Sequence, residues 1–139
     1  VSFACGHFQG VPGTASVVEE CLAKPDHADA IRVQRALDNG LLVAVPDPNP
    51  RQVLWTLDTG EQTAVELALN NNFVLLIDEK RGRATAKAQG VNIIGTIGML
   101  LLAKKQGLIP EIKSLLTTLE RQYYLSETLT QHALDFADE

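Results

Sequence analysis

Residues 57–79 read LDTGEQTAVELALNNNFVLLIDE, and the fold is decided in this stretch. Asp58-Thr59-Gly60 is turn chemistry ahead of a helix. Ala64, Val65 and Ala68 follow at the spacing that places side chains on one helical face. Glu61 lies on that same stripe at the helix N-terminus, whereas Glu66 points elsewhere and is expected to be solvated. After Asn70-Asn71-Asn72, the run Phe73-Val74-Leu75-Leu76-Ile77 has the pattern of a strand buried on both faces of a parallel sheet. It stops at Asp78. Ligands of open α/β sheets sit beyond the carboxyl ends of the strands. Asp78 therefore stands where function is expected, and Glu61 is placed to face it from the preceding helix.

Working outward, the chain alternates strands and helices. Residues 1–8 are mildly apolar and strand-like, and residues 9–13 read as a loop. A helix is expected over 15–23 with Thr14 or Ser16 as N-cap, ended by Lys24-Pro25-Asp26. A second is expected over 27–39, with Gly40 at its C′ position. Residues 41–45 read as a strand and 46–50 as a proline-rich loop. Beyond Asp78 the pattern predicts a helix over 80–89 closed by Gly90, a strand over 91–94, and an apolar helix ending at Lys105. Pro110 suits the first position of a helix over 111–121, and Ser126 caps the last helix. The class is α/β, a single domain of 139 residues with a mostly parallel sheet flanked by helices.

Composition narrows the function. The hydrophobic share of 45% and charged share of 21% are those of an ordinary globular domain. A net charge of −5 and a pI near 5.1 exclude a general electrostatic grip on nucleic acid, so any such binding needs a local basic patch. Cys5 and Cys21 are too few for a disulfide scaffold, which makes a reducing cytoplasm the simplest setting. The most apolar run, 91–103, is broken by Asn92, two glycines and a threonine, so no membrane span is expected. No signal peptide is visible. The chain begins at Val1 rather than Met, as a fragment would.

The residues that could carry chemistry are acids near strand ends. Asp78 either N-caps the following helix or lines a site. Glu61 completes a capping box with Asp58 or faces the strand end. Two carboxylates that converge repel unless a proton or cation lies between them, and oxygen-only ligands suit Mg²⁺ or Mn²⁺. Glu19 and Glu20 flank the apolar face of the first helix equally, so periodicity does not choose between them. Lys80, Arg81 and Arg83, with Lys87 one turn on, form either a phosphate-contacting cluster or a solvated helix face. Gly95-Thr96-Ile97-Gly98 opens a helix after a strand as a phosphate loop would, but it lacks the P-loop lysine, and Thr96 as a plain N-cap accounts for it. A small nucleotide-binding domain built on these glycines is a weaker alternative. Cys5-Gly6-His7 with Cys21 is only a faint zinc pattern.

The segment 57–109 resembles the PIN-domain proteins, in the prokaryotic branch related to ribonuclease toxins of toxin–antitoxin pairs. The matching motifs are Asp58, Gly60 and Glu61; Leu76 to Glu79; Arg83; Gly95-Thr96 and Gly98; and Ala103-Lys104 with Gly107-Leu108-Ile109. VVEECL at 17–22 resembles the helix that bears the family's second acid, which makes Glu20 the site residue of its pair. The resemblance implies a parallel sheet wrapped by helices. It further implies Mg²⁺ or Mn²⁺ held by Glu20, Glu61 and Asp78, and cleavage of single-stranded RNA steadied by Lys80, Arg81, Arg83 or Thr96. An antitoxin protein and a homodimer are the partners it suggests. The family's opening strand, which ends in an aspartate, has no match here. Either the gene product begins upstream or this form lacks that strand, in which case a non-catalytic module for protein or RNA binding is the alternative.

Overall fold

The computed structural model describes Ser2, Phe3, residues 10–123 and residues 125–139. They form two compact units, residues 1–94 and 95–139. In the first unit the order is β1 (Ser2–Phe3), β2 (Val11–Thr14), α1 (Ala15–Leu22), α2 (Ala28–Asp38), β3 (Leu42–Val45), a 3₁₀ turn (Gln52–Leu54), α3 (Thr59–Asn71), β4 (Val74–Leu76), α4 (Lys80–Ala88) and β5 (Ile93–Ile94). The second unit holds α5 (Thr96–Lys105), α6 (Lys113–Gln122) and α7 (Glu127–Phe136). The chain is thus α/β, as the alternating pattern implied.

Two parallel pairings organise the first unit. β2 and β3 pair from Val11↔Leu42 to Thr14↔Val45 across the α1–α2 connection. β4 and β5 pair at Leu75↔Ile93 and Leu76↔Ile94 across α4. Connections of this kind carry helices because parallel strands require a long crossover. β1 joins β4 antiparallel, giving the order β1-β4-β5. The stretch around Gly10-Val11-Pro12-Gly13, read from composition as a loop, is in part strand β2. Proline cannot donate to a ladder, but it is tolerated on an edge, and among the described residues this sheet has two strands. Gly10 is required by close approach, since a Cβ there would stand 2.2 Å from the Gly40 carbonyl oxygen. Residues 4–9 lie outside the described residues, and with them most of the expected first strand and the Cys5-Gly6-His7 pattern.

α3 begins as its sequence dictates. The Asp58 carboxylate accepts from Glu61 N–H at 2.8 Å, and the Glu61 carboxylate accepts from Asp58 N–H at 3.4 Å, a complete capping box. Asn72 ends the helix in the left-handed region at φ 54°, a conformation asparagine tolerates better than most residues. Ala64, Val65 and Ala68 are buried as the stripe predicts, and they pack with Leu54, Leu57, Leu75, Ala86 and Val91 into one core. β4 is shorter and less enclosed than its apolar run suggests. Leu75 is fully buried while Val74 is exposed.

Glu66 overturns a sequence expectation. It is only 5% exposed. Its carboxylate accepts from Arg51 N–H (3.0 Å), Nε (2.9 Å) and Nη2 (2.9 Å). Periodicity placed it off the apolar stripe, but the loop ahead of the 3₁₀ turn covers that side of α3. With both fork nitrogens and the backbone amide engaged, the charge is fully partnered.

In the second unit, Ile112, Leu116, Ala133 and Ala137 are buried, with Ile97, Leu100 and Leu101 packed against them. α6 starts at Lys113 rather than at Pro110 or Glu111. The reason lies far along the chain: the Glu139 carboxylate accepts from the amides of Ile112 (2.9 Å) and Lys113 (2.9 Å) and from Lys104 Nζ (2.7 Å). α7 starts where Ser126 predicts, with Ser126 Oγ accepting from Leu129 N–H.

Leu54 is fully buried and its neighbour Val53 is half-exposed. Urea denaturation of Leu54→Ala is expected to show a loss of about 2–5 kcal/mol, while Val53→Ala stays within about 0.5 kcal/mol.

Candidate functional site

In the first unit α3, which carries Glu61, borders both α1, which carries Glu20, and β4, which precedes Asp78. Thr14, where β2 passes into α1, bonds Thr63 of α3 through their buried hydroxyls at 2.9 Å. This bond sets the start of α1 against the first turns of α3. Thr14 is the N-cap residue of α1, but its side chain makes no capping bond. Asp47, in the loop after β3, does that work instead, accepting from Ser16 N–H at 2.9 Å and from Ser16 Oγ.

Thr14 and Thr63 thereby bring the carboxylate of Glu20 onto α3. A Cβ at Gly60 would stand 2.8 Å from Glu20 Oε1 and from Oε2. This geometry distinguishes Glu20 from Glu19, which sequence periodicity left equivalent. Glu61 reaches in two directions. One oxygen serves the capping box, and the other lies against α4, where a Cβ at Gly82 would stand 2.8 Å from Glu61 Oε1. Capping therefore uses only part of this carboxylate, and the other oxygen is turned toward α4.

Asp78 is exposed between β4 and α4, two residues past the end of β4. It does not cap the helix. Glu79 does, accepting from Gly82 N–H at 2.7 Å. Glutamate is not among the favoured N-cap residues, so the sequence points to Asp78 as the cap rather than to Glu79.

The acids polarise one another. Partial burial pushes the Glu61 carboxyl above the usual glutamate range, and the charges of Asp58 and Glu79 push the same way. Glu79 is held below that range, first by the Gly82 amide and then by the Arg81 amide. Two neighbouring carboxylates ionise in turn, and here Glu61 is the one that keeps its proton longer. Among the described residues no three acids, histidines or cysteines stand close enough to hold a metal ion by themselves.

Of the basic cluster, Lys80 and Arg81 are exposed on the first turn of α4, as is Lys87 further along. Arg83 is half-buried and donates from Nη1 to the Ile77 carbonyl at 2.8 Å, tying α4 to the end of β4. Thr96 is the first residue of α5 in the second unit, and Gly95, not Thr96, occupies the N-cap position. Cys21 is exposed. No helix among the described residues is long and apolar enough to cross a membrane.

The described residues thus form an α/β unit in which the Glu20 carboxylate lies against α3 and that of Glu61 against α4. The family model DUF3368, a PIN domain, matches residues 7–139, and the chain belongs to this PIN-domain family, whose fold is generally of the nuclease type. Neither a curated protein nor a solved structure matches it.

Hydrogen bonding to the Arg51 guanidinium is the main cause that holds the Glu66 carboxyl below the usual glutamate range. A lowered folded-state pKa means that this stability is present above the unfolded-state value and is lost as pH falls through the folded one. In acid titrations followed by circular dichroism, Glu66→Gln should be less stable than wild type at neutral pH. The difference should shrink as pH falls below the ordinary glutamate range.

Proposed function

We propose that this chain is a metal-dependent endoribonuclease acting on single-stranded RNA, with Glu20, Glu61 and Asp78 as its acidic residues. The observation that carries this reading is the double engagement of Glu61. Its carboxylate is locked to the start of α3 and laid against α4 beside the end of β4, with its proton affinity raised by its surroundings. A cation would relieve that crowding of acids. The donor chemistry fits, since every candidate ligand is a carboxylate oxygen, the kind Mg²⁺ and Mn²⁺ take. Such ions are commonly held by one or two carboxylates, with waters and substrate phosphate completing the shell.

When bound, the dication supplies charge neutralisation at the phosphate and acidifies water for in-line attack. The protein's own part is positional. Glu20 and Glu61 are fixed by helix packing, Asp78 follows β4 by two residues, and the exposed cations Lys80 and Arg81 hold the phosphate backbone. Such contacts fix register without reading sequence. Arg83 has further guanidinium donors beyond the one bonded to Ile77. A cytoplasmic setting, a homodimer and an antitoxin-like protein that masks the acids are the biological context this reading expects, as in a toxin–antitoxin pair.

A second reading, a non-catalytic PIN-like module for protein or RNA binding, is favoured by one observation: no three potential ligands among the described residues come together. Calorimetric titration with Mn²⁺ separates the two. Under the first reading wild type binds the ion and Glu61→Gln/Asp78→Asn does not, and only wild type cleaves a single-stranded RNA. A folded wild type that takes up no Mn²⁺ overturns the nuclease reading and leaves the binding module.

A further inference from the structure

Gly60 and Gly82 pose a problem that their backbones do not solve. Gly40, Gly90 and Gly107 adopt positive φ and meet nothing within 4 Å, so conformation explains them. Gly60 and Gly82 instead lie within the first turns of α3 and α4, in ordinary helical conformation. There glycine weakens the helix relative to alanine. Both are buried. What a methyl group would meet differs from ordinary packing. At Gly60 the three nearest atoms all belong to the carboxyl group of Glu20, at 2.8–3.0 Å. At Gly82 they are Ile77 Cδ1 at 2.6 Å and the carboxyl group of Glu61, with Oε1 at 2.8 Å. In both cases the atoms are side-chain ends, which can swing away while the backbone stays in place.

We infer that Gly60 and Gly82 are positioning residues, two seats on which the carboxylates of Glu20 and Glu61 rest against neighbouring helices. The inference rests on the reading of those acids as the site of the proposed nuclease. Helix stability is given up at two points so that two carboxylates can come closer to backbone than any side chain would permit. A methyl group at either seat lifts the carboxylate off while the helix gains.

The test is Gly60→Ala and Gly82→Ala in the full chain, with three readouts: thermal melting, the carboxyl ¹³C resonances of Glu20 and Glu61 without metal, and Mn²⁺ affinity by calorimetry. Both variants should melt at or above the wild-type temperature. The Glu20 resonance should move in Gly60→Ala and the Glu61 resonance in Gly82→Ala, each with the other unmoved. Mn²⁺ should bind about 10- to 100-fold more weakly, the loss typical when a ligand's supporting contact is removed. Adding Glu61→Asp to Gly82→Ala, which draws the carboxylate back from the new methyl, should recover part of the affinity.

Unmoved resonances in folded variants overturn the seats. Moved resonances with unchanged affinity, in a wild type that binds the ion, overturn their positioning role. A wild type that takes no Mn²⁺ while the resonances move sinks the metal reading and leaves the seats standing. If Gly82→Ala fails to fold because Ile77 cannot yield, Gly60→Ala decides alone, since it meets only the acid.

Discussion

The carboxylate of Glu66 is buried partway along α3, and Arg51 has to come to it. An unpaired buried charge is among the costliest defects a fold can carry. Satisfying this one draws the loop after β3 across the helix. The 3₁₀ turn that starts beside Arg51 then drops Leu54 into the core against α3 and β4. Thr63 imposes a similar condition three residues earlier, and Thr14 meets it. α3 is thus held by polar bonds on flanks that its apolar stripe leaves open, and α1 and β2 are placed by the same bonds. The position of the candidate acids follows, because two of the three ride on helices registered in this way.

The site shows what that registration makes possible. Glu20 and Glu61 come from different elements, yet each ends against the backbone of a helix other than its own. Glu61 also remains part of its own capping box. A carboxylate used structurally is usually satisfied and unreactive. This one is raised above the usual glutamate range by partial burial first and then by the charges of Asp58 and Glu79. Glu79 absorbs the capping duty at α4 and takes its stabilisation from backbone amides there. That division leaves Asp78, one residue earlier, outside the cap of α4.

Membership of the PIN-domain family covers nearly the whole chain and accounts for the α/β class. It does not by itself distinguish a working nuclease from a domain that keeps the fold for binding, because function belongs to the site rather than the fold. The candidate acids and the exposed cations on α4 are the features on which that distinction turns.

Much of this was legible in the chain itself. The capping box at Asp58, the stripe Ala64-Val65-Ala68, the strand ahead of Asp78 and the glycine stops at Gly40 and Gly90 are local signals, and local hydrogen bonds and periodic burial realise them. The sequence by itself therefore determined the α/β class and most element positions. It misjudged elements whose partners lie far away. Glu66 looks solvated until the loop carrying Arg51 folds over it. Pro12 looks like loop until β3 offers it an edge. α6 looks as if it begins at Pro110 until Glu139 supplies the cap at Lys113. Glu20 and Glu19 stayed equivalent because a helix in isolation has no neighbour to break the tie. The resemblance singles out Glu20, and the tertiary structure adds the contact that separates the pair, Gly60 beneath the Glu20 carboxylate. Periodicity records which face is buried, whereas the identity of the group across from a side chain depends on contacts between segments that sequence spacing does not encode.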